Sequence, residues 1–129
     1  MINKYLFTRY KKYGRGPDEF DCWGIVRTAR TELFGKDLLP SYAEIDPQDK
    51  RALTVACEEV RVDHVFNESP PVPGAIATAW RARVCVHVGL VVEADDRLWI
   101  LESDEETGPC LTRIDQFEQR YTKVIYYDD

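Results

Sequence analysis

The chain has 129 residues, 44% of them hydrophobic, and a formal net charge of −6, which is enough for one domain with a real core. No run of about 18 apolar residues is present to span a membrane, and the one basic cluster, Arg9 to Arg15, is too short for the basic face that nucleic acid requires. That cluster reads as a solvated helix end. Four cysteines without paired C-x-x-C spacing, and only two histidines, His64 and His87, argue against a structural metal centre. Met1 to Tyr5 is too polar for a secretory signal, so a cytoplasmic chain with reduced thiols is expected, carried out only by a larger assembly or by lysis.

Residues 2–12 predict a helix with Ile2, Leu6, Phe7 and Tyr10 on one side. Gly14, Gly16 and Pro17 make Tyr13 to Phe20 a loop. Ile25, Val26, Ala29 and Leu33 then recur at helical steps, predicting a second helix over 22–34 with Asp21 as N-cap and Gly35 as its stop. Leu38 to Tyr42 reads as an extended connection, and Pro47 as the opening of a third helix through Val60, with Leu53, Ala56, Cys57 and Val60 as its buried stripe. The block Pro70-Pro71-Val72-Pro73-Gly74 ends the helical half. Strands are expected at Ala75–Trp80, Val84–Glu93, Leu98–Ser103, Cys110–Ile114 and Val124–Tyr127, with a tight turn at Asp95-Asp96 and a short helix from an Asp115 cap to Tyr121. The expected architecture is a single α+β domain over 1–129, with N-terminal helices packed on an antiparallel sheet of about five strands.

Chemistry concentrates at Phe20-Asp21-Cys22-Trp23-Gly24. Cys22 falls in the first helical turn, where the positive end of the macrodipole favours a thiolate, the nucleophilic form of cysteine. The alternative is a small buried apolar residue, the usual state of a free cysteine. A nucleophilic cysteine needs a base, and the base an orienting partner. His87 lies in the apolar strand Val86-His87-Val88-Gly89-Leu90, either as that base or as a core histidine with one hydrogen bond. Gly89 leaves room on the same face. A hairpin turning at Asp95-Asp96 brings Glu102 to the His87 end of its neighbour, where a carboxylate can hold the imidazole; otherwise Glu102 simply ends its strand. Cys85, two residues before His87, is read as sharing its strand face.

This ordered set of residues resembles the NlpC-type cell-wall cysteine peptidases, which are small papain-like domains. The set is Phe-Asp-Cys-Trp-Gly at a helix start, Val-Pro-Gly before a short strand, and His-Val-Gly-Leu-Val-Val opening the next. The match runs from about Tyr10 to Tyr126, and the stretch Leu39-Pro40-Ser41-Tyr42 looks most like the phage and prophage tail branch. The resemblance implies Cys22 as nucleophile, His87 as general base and Glu102 as the third catalytic residue. That family usually has histidine, asparagine or glutamine in the third place. It also implies Tyr10, Tyr13, Asp21 and Trp23 as substrate-binding residues, with Tyr10 and Tyr13 rivals for one role and Asp21 an anchor for a stem-peptide amine. The implied activity is hydrolysis of peptidoglycan stem peptides at the D-γ-glutamyl–diamino acid bond, with no cofactor or metal and with other phage tail proteins as partners. A non-catalytic tail assembly or adaptor module that keeps the fold is the alternative.

Overall fold

The structure, a computed structural model, describes all of residues 1–129. Its first element, α1 (Asn3–Leu6), is barely one turn. The helix expected over 2–12 stops there because the Thr8 hydroxyl donates back to the Tyr5 carbonyl at 2.6 Å, a local bond that competes with further helix. The chain continues extended, and β1 (Arg9–Tyr10) pairs in parallel with β2 (Glu19–Phe20), Tyr10 beside Phe20. The basic cluster is therefore a strand and a turn rather than a helix end, and Arg15 at its close is largely buried.

Helix α2 (Cys22–Phe34) follows its sequence pattern: Asp21 caps it by accepting from the Gly24 N–H at 2.9 Å, and Gly35 stops it at φ 67°. Helix α3 (Lys50–Asp63) starts beyond Pro47 because the carboxylate that caps it, by accepting from Ala52 N–H at 3.1 Å, belongs to Asp49. The short α4 (Ile114–Gln119) takes in Asp115 as a first-turn residue rather than as its cap.

Strands β3 (Asn67–Ser69), β4 (Ile76–Arg81), β5 (Val84–Ala94), β6 (Arg97–Asp104), β7 (Gly108–Arg113) and β8 (Lys123–Asp128) form one antiparallel sheet in the order β3-β8-β4-β5-β6-β7. The sixth strand beyond the expected five is β3. Asn67-Glu68-Ser69 has no apolar alternation and becomes a strand because β8 offers it an edge, Glu68 opposite Tyr127. Asp95 and Asp96 both take left-handed backbone angles, φ 54° and 59°, the turn whose twist suits a two-residue hairpin. No helix is long and apolar enough to cross a membrane.

The sheet is covered on both faces. Ile25, Val26 and Ala29 of α2 and Val60 of α3 pack on Cys85, Val88, Leu90, Val92 and Leu101. On the opposite face Phe117 of α4 packs on Ala77, Ala79, Val91 and Ile100. Strict alternation along β5 would put Cys85 and His87 on one face. The register prevents it: Ala79 pairs with His87 and Trp80 with Cys85, so Val86 has no partner and β5 carries a bulge. Cys85 consequently joins the core under the helices, while His87 stacks beside Phe117 and Tyr121 at centroid distances of 6.1 and 6.4 Å.

Arg30 is 1% exposed within α2. Its Nε donates to the Gly74 carbonyl at 3.0 Å, its Nη2 reaches Asp129 at 2.8 Å, and its guanidinium lies 4.9 Å from the Phe66 ring centre. It thereby fastens α2 to the turn that opens β4. Arg30→Ala is expected to cost about 3 kcal/mol, through a cavity and an orphaned Gly74 carbonyl. Arg30→Met, which keeps most of the volume and removes a buried Nη1 that has no partner, costs less. Urea unfolding of the two variants checks the order.

Candidate active site

The end of one strand positions both halves of the site. Ser103 of β6 donates from Oγ to the Phe20 carbonyl at 3.0 Å, holding the segment that leads into α2 and therefore Cys22. Its neighbour Glu102 meets His87, with His87 Nε2 2.9 Å from Glu102 Oε1. Gly89 makes that approach possible. A Cβ there would lie 2.4 Å from Ile100 Cγ2 and 3.8 Å from Glu102 Cβ, so the room left by glycine is filled by β6 rather than by a ligand.

Cys22 and His87 open into the same cleft of about 270 Å³, with Tyr10 and Ser103 also in its wall. Nε2 is engaged by Glu102, which leaves Nδ1 as the free ring nitrogen. Burial of His87 opposes its charged form, but its interactions with Cys22 and Glu102 outweigh that and raise its pKa to about 9. Glu102 is 1% exposed. Burial pushes its carboxyl up, while His87 and Arg120 pull it down further, to about 2. The pair is thus charged across neutral pH.

Two partners of Glu102 were not visible as such in the sequence. Arg120 Nη2 donates to the same Oε1 at 2.7 Å, and the Thr112 hydroxyl donates to Oε2. Arg120 follows α4, with its guanidinium 5.1 Å from the Phe117 ring centre and 5.2 Å from that of Tyr121. No spacing motif links Arg120 to Glu102; the available signal was only that a buried glutamate needs a cation.

The remaining candidates separate. Tyr10 lines the cleft, and its hydroxyl is pushed well above the ordinary tyrosine range by burial and by Cys22 and Asp21. Tyr13 is 44% exposed and contributes its backbone, N–H to Asp21 Oδ2 at 3.1 Å. Trp23 donates from Nε1 to the Pro40 carbonyl at 2.9 Å and lies against a second, apolar cavity of about 50 Å³ between helices and sheet, whose wall also includes Cys22. His64 is the exposed C-cap of α3, outside the cleft.

Asp21 is 1% exposed and fully engaged within the chain. Besides Gly24 N–H and Tyr13 N–H it takes Arg15 Nη1 at 2.7 Å, and Arg15 also donates to the carbonyls of Gly14, Ser41 and Tyr42. Where a substrate amine was expected, the protein's own guanidinium sits. Asp21→Ala is expected to cost about 2–4 kcal/mol, because it removes an N-cap and strands a largely buried arginine. Asp21→Asn keeps the cap and loses less. Thermal melts of both variants check the ranking.

No family model matches the chain, and no curated protein matches it. Among solved structures it is similar to the crystal structure of an N-acetylmuramoyl-L-alanine amidase from Bacteroides uniformis, with 14% identity and a TM-score of 0.53 over 98% of this chain and 94% of that one. At that identity the likeness is one of fold: the chain shares the mixed α+β fold of that structure.

Proposed function

We propose that this chain is a cysteine hydrolase that cuts an amide bond in peptidoglycan, with Cys22 as nucleophile, His87 as acid and base, and Glu102 as the residue that orients His87. The observation that carries the reading is that Cys22 and His87 line one cleft, with one ring nitrogen of His87 held by a buried carboxylate. Cys22 attacks the amide carbonyl as the thiolate, its proton having already passed to the imidazole, so that His87 stands beside it as the imidazolium. The Cys22 backbone N–H, a first-turn donor with no partner within the helix, supplies a donor for the developing oxyanion. His87 protonates the leaving amine, and water releases the acyl group.

The cleft wall carries both signs of charge, Lys50 and Arg81 with Asp104 and Glu105, which suits a stem peptide bearing both amines and carboxylates. The resemblance of the sequence to NlpC-type peptidases favours the D-γ-glutamyl–diamino acid bond, and a phage or prophage tail setting. The amidase fold raises the N-acetylmuramoyl–L-alanine bond as the other candidate. Engagement of Glu102 with His87 favours the enzyme over a non-catalytic tail module.

The test is digestion of purified peptidoglycan and mass spectrometry of the products. A new amine on the diamino acid identifies the peptidase reaction, and a new amine on L-alanine the amidase reaction. Absence of both from wild-type and Cys22→Ala digests alike, across peptidoglycans with different diamino acids, overturns the proposal.

A further inference from the structure

Three of the four cysteines lie outside the proposed reaction, and two of them face each other. Cys57 of α3 and Cys85 of β5 have their sulfurs 3.5 Å apart, both as free thiols. The contact is built from both sides. Thr54, one helical turn before Cys57, accepts the Cys85 backbone N–H on its hydroxyl at 2.9 Å, which pins β5 against α3 at this level. Cys85 is fully buried, whereas Cys57 is only half-buried. A hydrogen bond from Cys57 holds the Cys85 thiol below its ordinary range and pushes that of Cys57 up.

We propose that Cys57 and Cys85 are a disulfide-forming site, oxidised by a small-molecule disulfide, and that the bond staples α3 to β5 without disabling the cleft. The sulfurs need to approach by about 1.5 Å to reach bonding distance. Cys57, the accessible thiol, loses its proton to solvent and attacks one sulfur of the external disulfide as the thiolate. That S–S bond breaks, and one half leaves as a thiolate that takes up a proton. Cys85 then loses its proton and attacks Cys57 Sγ, expelling the second half as a thiol. Two protein thiols are oxidised by two electrons, and one external disulfide is reduced to two thiols.

The bulge at Val86 is why the staple spares the site. Cys85 is turned into the core beneath the helices and His87 to the opposite face, so the new bond pulls on α3 and not on the imidazole. The bond closes a loop between residues 28 apart in sequence, which restricts the unfolded chain and raises stability.

The experiment treats the reduced full chain with oxidised glutathione and follows mass, peptide map and melting temperature, none of which depends on the hydrolase assignment. The expected result is a loss of about 2 Da, a Cys57–Cys85 linked peptide, alkylatable Cys22 and Cys110, and a Tm higher by roughly 10 °C. Cys57→Ser, checked for folding by circular dichroism, loses the linked peptide and the Tm rise; Cys57→Ala serves as a second variant if serine unfolds the chain. A stable glutathione adduct on Cys57 with no linked peptide, a Cys22–Cys85 link, or an oxidised form no more stable than the reduced one overturns the proposal.

Discussion

Cys22→Ala is expected to abolish amide hydrolysis, and His87→Ala to lower kcat on the order of 10⁴-fold or more, with both variants folded. Residues that act as one unit fail together, so the double variant should be no worse than Cys22→Ala alone. Cys22 is 4% exposed at the helix start, and alanine removes only its sulfur. His87→Ala removes more, leaving Glu102 with Arg120 and Thr112 still in place. Product release from peptidoglycan fragments, with circular dichroism as the folding control, checks both. Retention of wild-type turnover by Cys22→Ala sinks the assignment outright, because no other thiol opens into that cleft.

Glu102 carries the second large effect. Glu102→Ala removes the acceptor of His87, Arg120 and Thr112 at once. It is expected to cost on the order of 3 kcal/mol of stability and about 10²-fold or more in kcat. The raised His87 and lowered Glu102 pKa values report one shared interaction, so its stability is counted once. The Glu102 part is present above the ordinary value of 4.5 and is lost as pH falls through about 2. The His87 part is complete below 6.5 and is lost as pH rises through about 9. Between pH 4.5 and 6.5 both contribute fully.

In activity, kcat/KM is expected to decline above about pH 9, where His87 no longer holds the proton it must give to the leaving amine. Glu102→Gln keeps an acceptor but removes the charge, so this limb moves down by about one pH unit. Arg120→Ala unmasks the full charge of Glu102 and moves the limb up. Opposite shifts in the two pH profiles identify Arg120 as a positioning residue, because a purely structural loss would lower activity without moving the limb.

The parts of the fold legible in the sequence are those specified by short-range rules. Helix α2 has its cap at Asp21, its apolar steps and its stop at Gly35 within one window, and each side chain acts within a few residues of its own position. The turn at Asp95-Asp96 likewise carries its own backbone preference. Where partners lie far off, the pattern was silent or misleading. The apolar side of residues 2–12 suited a helix, yet β1 forms because β2 is available to pair with it. Asn67-Glu68-Ser69 is a strand only through β8.

The same division runs through the site. By itself, the sequence determined that a cysteine stands at a helix start, that a histidine lies in an apolar strand, and that a hairpin turn returns Glu102 toward it; each follows from local periodicity and turn chemistry. Only the tertiary structure decided what those side chains meet. A bulge at Val86 turns Cys85 away from His87 and toward Cys57. Arg15, which reads as surface charge, fills the place beside Asp21 where an amine was expected. Arg120, 18 residues beyond Glu102, makes a buried glutamate tolerable as the partner of His87. A buried charge is stable only with its partner in place, and nothing in the local sequence names a partner that the fold alone brings near.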